Sequence, residues 1–187
     1  CHRSVRSQTV PATHVLLCDG GEPLPLPDFQ GIHMILRRNY ADYGNTPRLI
    51  GCYQAVASGA DAIAFLDADN WYLDDHLEHL QRFARENNME AVSSARMLHR
   101  LDGTPMIRCP HVDGTNLIDT SCLMVLRPAF QHLLSWVMGG QADAATADQL
   151  VWRYLRAQRV RTGFLNRASV AYRTRHQIHY VMAGETP

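Results

Sequence analysis

The sequence predicts a single α/β domain over residues 1–187, with a mixed, mainly parallel sheet flanked by helices. Three observations predict it. Short apolar runs containing β-branched residues alternate with segments of helical periodicity through residue 90, the pattern of strand–helix–strand units. A chain of 187 residues can bury one sizeable core, given about 150 residues per domain as a rough guide. Apolar residues at 46% and charged residues at 19% are ordinary globular values, which excludes a disordered or fibrous chain.

His14-Val15-Leu16-Leu17-Cys18 is short, partly β-branched and ends at Asp19-Gly20-Gly21, so it reads as a strand entering a loop. The proline-rich stretch 22–28 should be irregular, and Ile32 to Leu36 follows as a second strand. Pro47 suits a first helical turn, and Leu49, Ile50, Tyr53, Val56 and Ala57 recur at helical spacing up to Gly59. Ala62 to Leu66 is the clearest buried strand and stops at Asp67-Ala68-Asp69-Asn70. Leu73, Leu77, Leu80 and Phe83 then form the apolar stripe of a helix reaching about Asn87. In the second half, Ala91 to Leu98 and Thr104 to Cys109 flank an Asp102-Gly103 hairpin turn. Leu117 to Leu126 reads as a strand, Pro128 to Met138 as a helix, 139–146 as a loop and Ala147 to Ala157 as a last helix.

Equal numbers of acidic and basic side chains, with no run of Lys or Arg, leave no electrostatic footprint for nucleic acid. No apolar run approaches the ~20 residues of a membrane-spanning helix. The first residues are polar and basic where a secretory signal would be apolar, so a cytoplasmic domain is expected. The five cysteines are odd in number and lack a C-x-x-C pair, which reads as reduced thiols.

Asp67 and Asp69 end an apolar strand two residues apart. If the extended geometry continues, both carboxylates leave one face. Two crowded carboxylates repel unless a cation neutralises them, and oxygen-only ligands favour Mg²⁺ or Mn²⁺ over zinc. Ligands of open α/β sheets bind beyond the carboxyl ends of strands, where this pair falls. A pair of turn or capping acids is the plain alternative.

Further segments agree with a known family in order and spacing. Ser4 to Pro11 followed by a strand ending Cys18-Asp19-Gly20-Gly21 resembles the first helix and second strand of family 2 glycosyltransferases, which have the GT-A fold. Asn39 to Arg48, then Ala55 to Asn70, is similar to the family's stretch from its asparagine-glycine loop to its D-x-D motif. Asp119 to Arg127 resembles the acceptor-side strand, Ala147-Asp148 the motif of the catalytic base, and Tyr172-Arg173-Thr174-Arg175-His176 the late tyrosine-arginine-histidine segment. The family's opening strand, with its proline-x-tyrosine-asparagine loop, has no counterpart in these residues.

The resemblance implies a sugar transfer from a nucleotide diphosphate sugar to an acceptor hydroxyl, with inversion, in a domain whose residues 1–90 bind the nucleotide and 91–187 the acceptor. Asp19 would accept a hydrogen bond from the base, Arg48 would lie near the phosphates, and Asp67 would face the ribose or metal. Asp69 would hold Mn²⁺ or Mg²⁺, with His176 as a further ligand, and Asp148 would be the general base. Each has a plainer reading. Asp19 suits a turn before Gly20-Gly21, Arg48 a solvated helix face and Asp148 the first turn of a helix. His176 is one of ten histidines. Rival functions are a nucleotide-sugar-binding domain without turnover and a metal-dependent nucleotidyltransferase, although the glycine-rich, basic phosphate loop of the latter is missing.

Overall fold

The structure is a computed structural model that describes residues 1–21, 25 and 28–186. Residues 22–24, 26 and 27, most of the stretch expected to be irregular, lie outside the described residues, as does residue 187. In chain order come α1 (His2–Arg6), β1 (His14–Cys18), β2 (Gly31–Ile35), α2 (Asn45–Ala57), β3 (Ala62–Ala64) and β4 (Trp71–Tyr72). Then follow α3 (His76–Glu86), β5 (Ala91–His99), β6 (Pro105–Arg108), β7 (Leu123–Leu126), α4 (Ala147–Ala157), β8 (Thr162–Arg173) and α5 (Gln177–Met182).

The six-stranded sheet runs β3-β7-β5-β8-β4, with β6 on the far part of β5, while β1 and β2 pair in a sheet of their own. A mixed sheet is what the sequence predicts, but its parallel character is narrower than expected. Among the described residues only β1–β2 and β5–β8 pair in parallel. The other pairings, β3–β7, β4–β8, β5–β6 and β5–β7, are antiparallel. The Asp102-Gly103 turn returns β6 directly beside β5, and β7 enters between β3 and β5 antiparallel to both.

β7 shows how the two faces are separated. Its side chains alternate, so Leu123 and Val125 join Leu49, Cys52, Ile63, Phe65, Trp136, Val151 and Leu155 beneath α2 and α4. Cys122 and Met124 instead meet Tyr72, Leu77, Leu80, Val92 and Val170 beneath α3. Complete burial of each such aliphatic or aromatic side chain contributes roughly 1.5–3 kcal/mol.

Three expected elements come out differently. Leu117 to Leu126 is extended only over β7, because the Asp119 side chain accepts the Ser121 N–H and starts a 3-10 turn at Thr120–Cys122. The helix expected at 128–138 is a run of 3-10 turns over Arg127–Val137. Phe130, Leu133 and Trp136 recur every third residue in or against the core, a spacing that three residues per turn accommodates. The loop expected at 139–146 likewise contains a 3-10 segment, Gln141–Thr146. β8 has no counterpart in the sequence reading. Its pairing with β5 jumps from Leu165 to Ala168, so Asn166 and Arg167 bulge out and break the alternation that marks a strand.

Candidate active site

The segments after β1 and β3, the first turns of α2 and α4 and the start of α5 supply the side chains singled out by the sequence. Asp19 follows β1, and its Oδ1 accepts the Tyr40 N–H at 3.1 Å. Between Asn39 and α2 the backbone is left-handed at Ala41 and Tyr43 as well as Gly44. Such conformations at non-glycine residues cost about 1–3 kcal/mol each and gather at functional sites. Asp42 accepts the Thr46 N–H at 2.8 Å, which caps α2 where the helix N-terminus has no other side-chain acceptor.

Arg48 lies in the first turn of α2. Its Nη1 donates to the Tyr43 carbonyl and to Asn45 Oδ1, and its Nη2 donates to Asp67 Oδ1 at 2.5 Å. The guanidinium lies 5.3 Å from the centre of the Trp136 ring. Asn45 is buried and donates to the Ala144 carbonyl, tying α2 to the segment that leads into Asp148.

The extended geometry expected through Asp69 stops earlier. β3 ends at Ala64, and the Asn70 N–H donates to the Asp67 carbonyl at 3.1 Å, closing a turn. Asp67 is therefore half-buried and Asp69 exposed, rather than both leaving one strand face. Fully buried Asn70 holds this turn. Its Nδ2 donates to Ser121 Oγ at 3.0 Å and its Oδ1 accepts the Arg173 N–H at 3.0 Å. Ser121 Oγ also accepts the Asp67 N–H at 3.2 Å and donates to Asp67 Oδ2 at 3.4 Å.

Asp148 stands in the first turn of α4, half-buried. Its Oδ2 accepts the Thr120 N–H at 3.1 Å and its Oδ1 the Gln149 N–H at 2.8 Å. Burial pushes its carboxyl above the ordinary range against these two hydrogen bonds and against Arg48, while Asp67 adds to the upward shift. Asp119 is buried and forms an ion pair with Arg96, which in turn lies over the Tyr172 ring at 3.8 Å. Burial first, with the nearby Asp67 and Asp148 carboxylates, raises Asp119 to about 6 in spite of Arg96.

Asp67, Arg48 and Asp148 are thus brought into one neighbourhood, joined by the Thr120–Ser121 turn. His176 precedes α5 at an exposed position and makes no side-chain capping hydrogen bond. Among the described residues no three His, Cys, Asp or Glu side chains gather at metal-holding distance, so His176 does not join Asp67 and Asp69 there. The Asp67 and Asp69 pair offers only hard carboxylate oxygens, and the Asp69 side chain makes no hydrogen bond among the described residues. Such a pair fits a Mg²⁺ or Mn²⁺ ion that takes its other ligands from phosphate and water. The sequence reading missed Arg96, Asn70, Thr120 and Ser121. Their roles come from contacts between distant segments, and only the Asp119-Thr120-Ser121 run carries a local capping signal.

No helix among the described residues is long and apolar enough to cross a membrane. A comparison with curated proteins returned no match. Among solved structures, TarS of S. aureus in its 1–349 form with UDP is similar at a TM-score of 0.66 and 17% identity, over 96% of this chain and 57% of that one. A longer TarS structure matches at a TM-score of 0.65 and 15% identity, over 96% of this chain and 34% of that one. A second structure of the 1–349 form matches at a TM-score of 0.64 and 14% identity, over 91% of this chain and 55% of that one. The chain therefore spans 34% to 57% of the length of these structures, and at these identities the likeness shows a shared GT-A fold. The family model for glycosyl transferase family 2 matches residues 1–144, which takes in Asp19, Arg48, Asp67, Asp69 and Asp119 and stops short of Asp148 and His176. With that model covering most of its length, the chain belongs to glycosyl transferase family 2.

Proposed function

We propose that the chain transfers a sugar, with inversion, from a nucleotide diphosphate sugar to an acceptor hydroxyl, using residues 1–90 for the nucleotide and 91–187 for the acceptor. The observation that carries this reading is the placement of Asp148. A half-buried carboxyl with a raised pKa is linked through one turn to the exposed end of β3, where Asp67 and Asp69 lie. A base is most effective when its pKa approaches the working pH, and burial moves Asp148 in that direction.

In the proposed reaction Asp148 takes the proton of the acceptor hydroxyl as that oxygen bonds to the anomeric carbon. The carbon–oxygen bond to the diphosphate breaks on the opposite face, and the nucleoside diphosphate leaves with the electron pair. Arg48 exchanges its contact with Asp67 for a donor phosphate, a use suited to a forked and permanent cation. Asp19 accepts an N–H of the nucleotide base. Asp67 and Asp69 would hold Mn²⁺ or Mg²⁺, whose charge stabilises the departing diphosphate as a Lewis acid. His176, which stands apart from this pair here, would be a further ligand of that ion in the donor-bound state. The cysteines are all free, which supports a reducing, cytoplasmic setting.

Calorimetric titration with UDP, with and without Mn²⁺, tests the donor side. Wild type should bind UDP in a Mn²⁺-dependent way. Asp69→Ala should weaken that binding by more than the ~10–100-fold that outer-sphere partners of a metal contribute. Unchanged Mn²⁺ dependence in Asp69→Ala would put the metal elsewhere. Product formation from labelled UDP-sugar then separates an enzyme from a binding domain without turnover.

A further inference from the structure

The turn Asp119-Thr120-Ser121 touches both halves of the site at once. Thr120 donates its N–H to Asp148 Oδ2 at 3.1 Å, with its hydroxyl 3.4 Å from the same oxygen. One residue later, Ser121 Oγ meets the backbone and carboxylate of Asp67 and the amide of Asn70. The turn is itself clamped from behind. Asp119 uses Oδ1 to accept the Ser121 N–H at 2.9 Å and Oδ2 to pair with Arg96, whose guanidinium is held against Tyr172. Asp119, Thr120, Ser121 and Arg96 are all buried, so water does not compete for these contacts.

We infer that Thr120 and Ser121 are positioning residues: this single turn, locked by the Arg96–Asp119 pair, sets the placement of Asp148 relative to Asp67. The inference rests on Asp148 acting as the base. Two groups that share a rigid hub keep their separation when either is loaded, which is what an in-line displacement between an acceptor and a donor needs. It also follows that each side can be loosened alone, through Thr120 for the base and through Ser121 for the donor.

The backbone makes a clean test available. Asp119 has φ −119° and ψ 142°, the conformation favoured before proline, and Thr120 opens the 3-10 turn, where proline fits. Thr120→Pro removes the N–H and the hydroxyl, whereas Thr120→Val removes the hydroxyl alone. With labelled UDP-sugar, Thr120→Pro should lower kcat at least ~10-fold below Thr120→Val. Donor KM and the calorimetric UDP affinity should stay within about twofold of Thr120→Val, because the donor side is held by Ser121. Ser121→Ala should do the reverse, weakening UDP–Mn²⁺ binding at least ~3-fold with the smaller change in kcat. A donor-free readout is the carbon-13 carboxyl titration of Asp148 in metal-free protein. Arg48, Asp67 and Asp119 face Asp148 in every variant, so loss of the Thr120 N–H should move its midpoint upward by about half a pH unit or more relative to Thr120→Val. Equal kcat and equal midpoints for the two Thr120 variants would overturn the inference. If Thr120→Pro fails to fold, unchanged UDP affinity in Ser121→Ala would overturn it instead. A wild type that neither binds UDP nor turns over UDP-sugar would defeat the glycosyltransferase reading, while the carboxyl titration would still decide whether Thr120 holds Asp148.

Discussion

Asp67, Asp69, Asp119 and Asp148 fall into two environments. Asp67 and Asp69 sit on the open end of β3, the first half-buried against Arg48 and the second exposed. Asp119 begins the turn and Asp148 packs against it, where burial raises both carboxyls. The same side chain therefore serves two ends. Carboxylates open to solvent can exchange an arginine for a cation and phosphates, whereas those withdrawn from water hold protons more tightly and keep a fixed position. Environments that push like groups apart are how one site divides proton transfer from charge binding. The backbone shows the same contrast. No side chain of β1 is fully buried and β2 alternates with solvent, whereas most of β5 is sealed inside.

The largest expected effect is at Asp148. Asp148→Asn keeps the shape but cannot take a proton, so sugar transfer should fall ~10²–10⁴-fold while UDP–Mn²⁺ binding persists. Near-normal transfer would make Asp148 only a helix-end acid and erase the division between the two environments.

Next is the lock behind the turn. Arg96→Met should destabilise the fold by about 3–5 kcal/mol at pH 7 in denaturant unfolding, because it strands the buried Asp119 carboxylate. The loss should shrink toward pH 5 as Asp119 takes up a proton. In wild type Asp119 is raised from an ordinary 3.8 to about 6. Its stabilising contribution is thus full below about 3.8 and is lost as pH rises through about 6. Asp119→Asn should flatten the dependence of stability on pH between these values.

A smaller effect sharpens the comparison through pH. Because the Asp148 carboxyl is raised by burial, the acid limb of kcat should have its midpoint above the ordinary carboxylate value of 3.8. Below that midpoint the base is protonated and transfer stops. A midpoint at or below 3.8 would mean that burial does not govern the Asp148 carboxyl.

The smallest change in stability is expected on the open side. Arg48 and Asp67 are partly exposed, with side-chain exposures of 21% and 29%. Arg48→Ala should cost less than about 1 kcal/mol of stability. Its nucleotide affinity should nevertheless drop measurably in calorimetry. A large stability loss with unchanged affinity would reclassify Arg48 as a structural residue.

Much of this was legible along the chain. Helical spacing of apolar residues located α2 and α3, short apolar runs located β1 and β3, and the Asp102-Gly103 dipeptide located the hairpin, because each signal lies within a few residues of chain. The Asp67-x-Asp69 pair was legible because a strand ending in acids is a local pattern. β8 was not, since the Asn166-Arg167 bulge removes its alternation and its burial comes from β5. Nor was the turn at Thr120, which reads as part of an apolar strand until Asp119 caps it.

By itself the sequence determined the α/β class, the family resemblance and which acids end strands and begin helices, since these depend on neighbours within a few residues. The tertiary structure decided that Asp69 faces solvent while Asp119 is sealed, and that Thr120 and Ser121 bind Asp148 and Asp67. Those contacts join segments 28 and 54 residues apart. Burial and hydrogen bonding across such separations are properties of packing, and no local repeat encodes them.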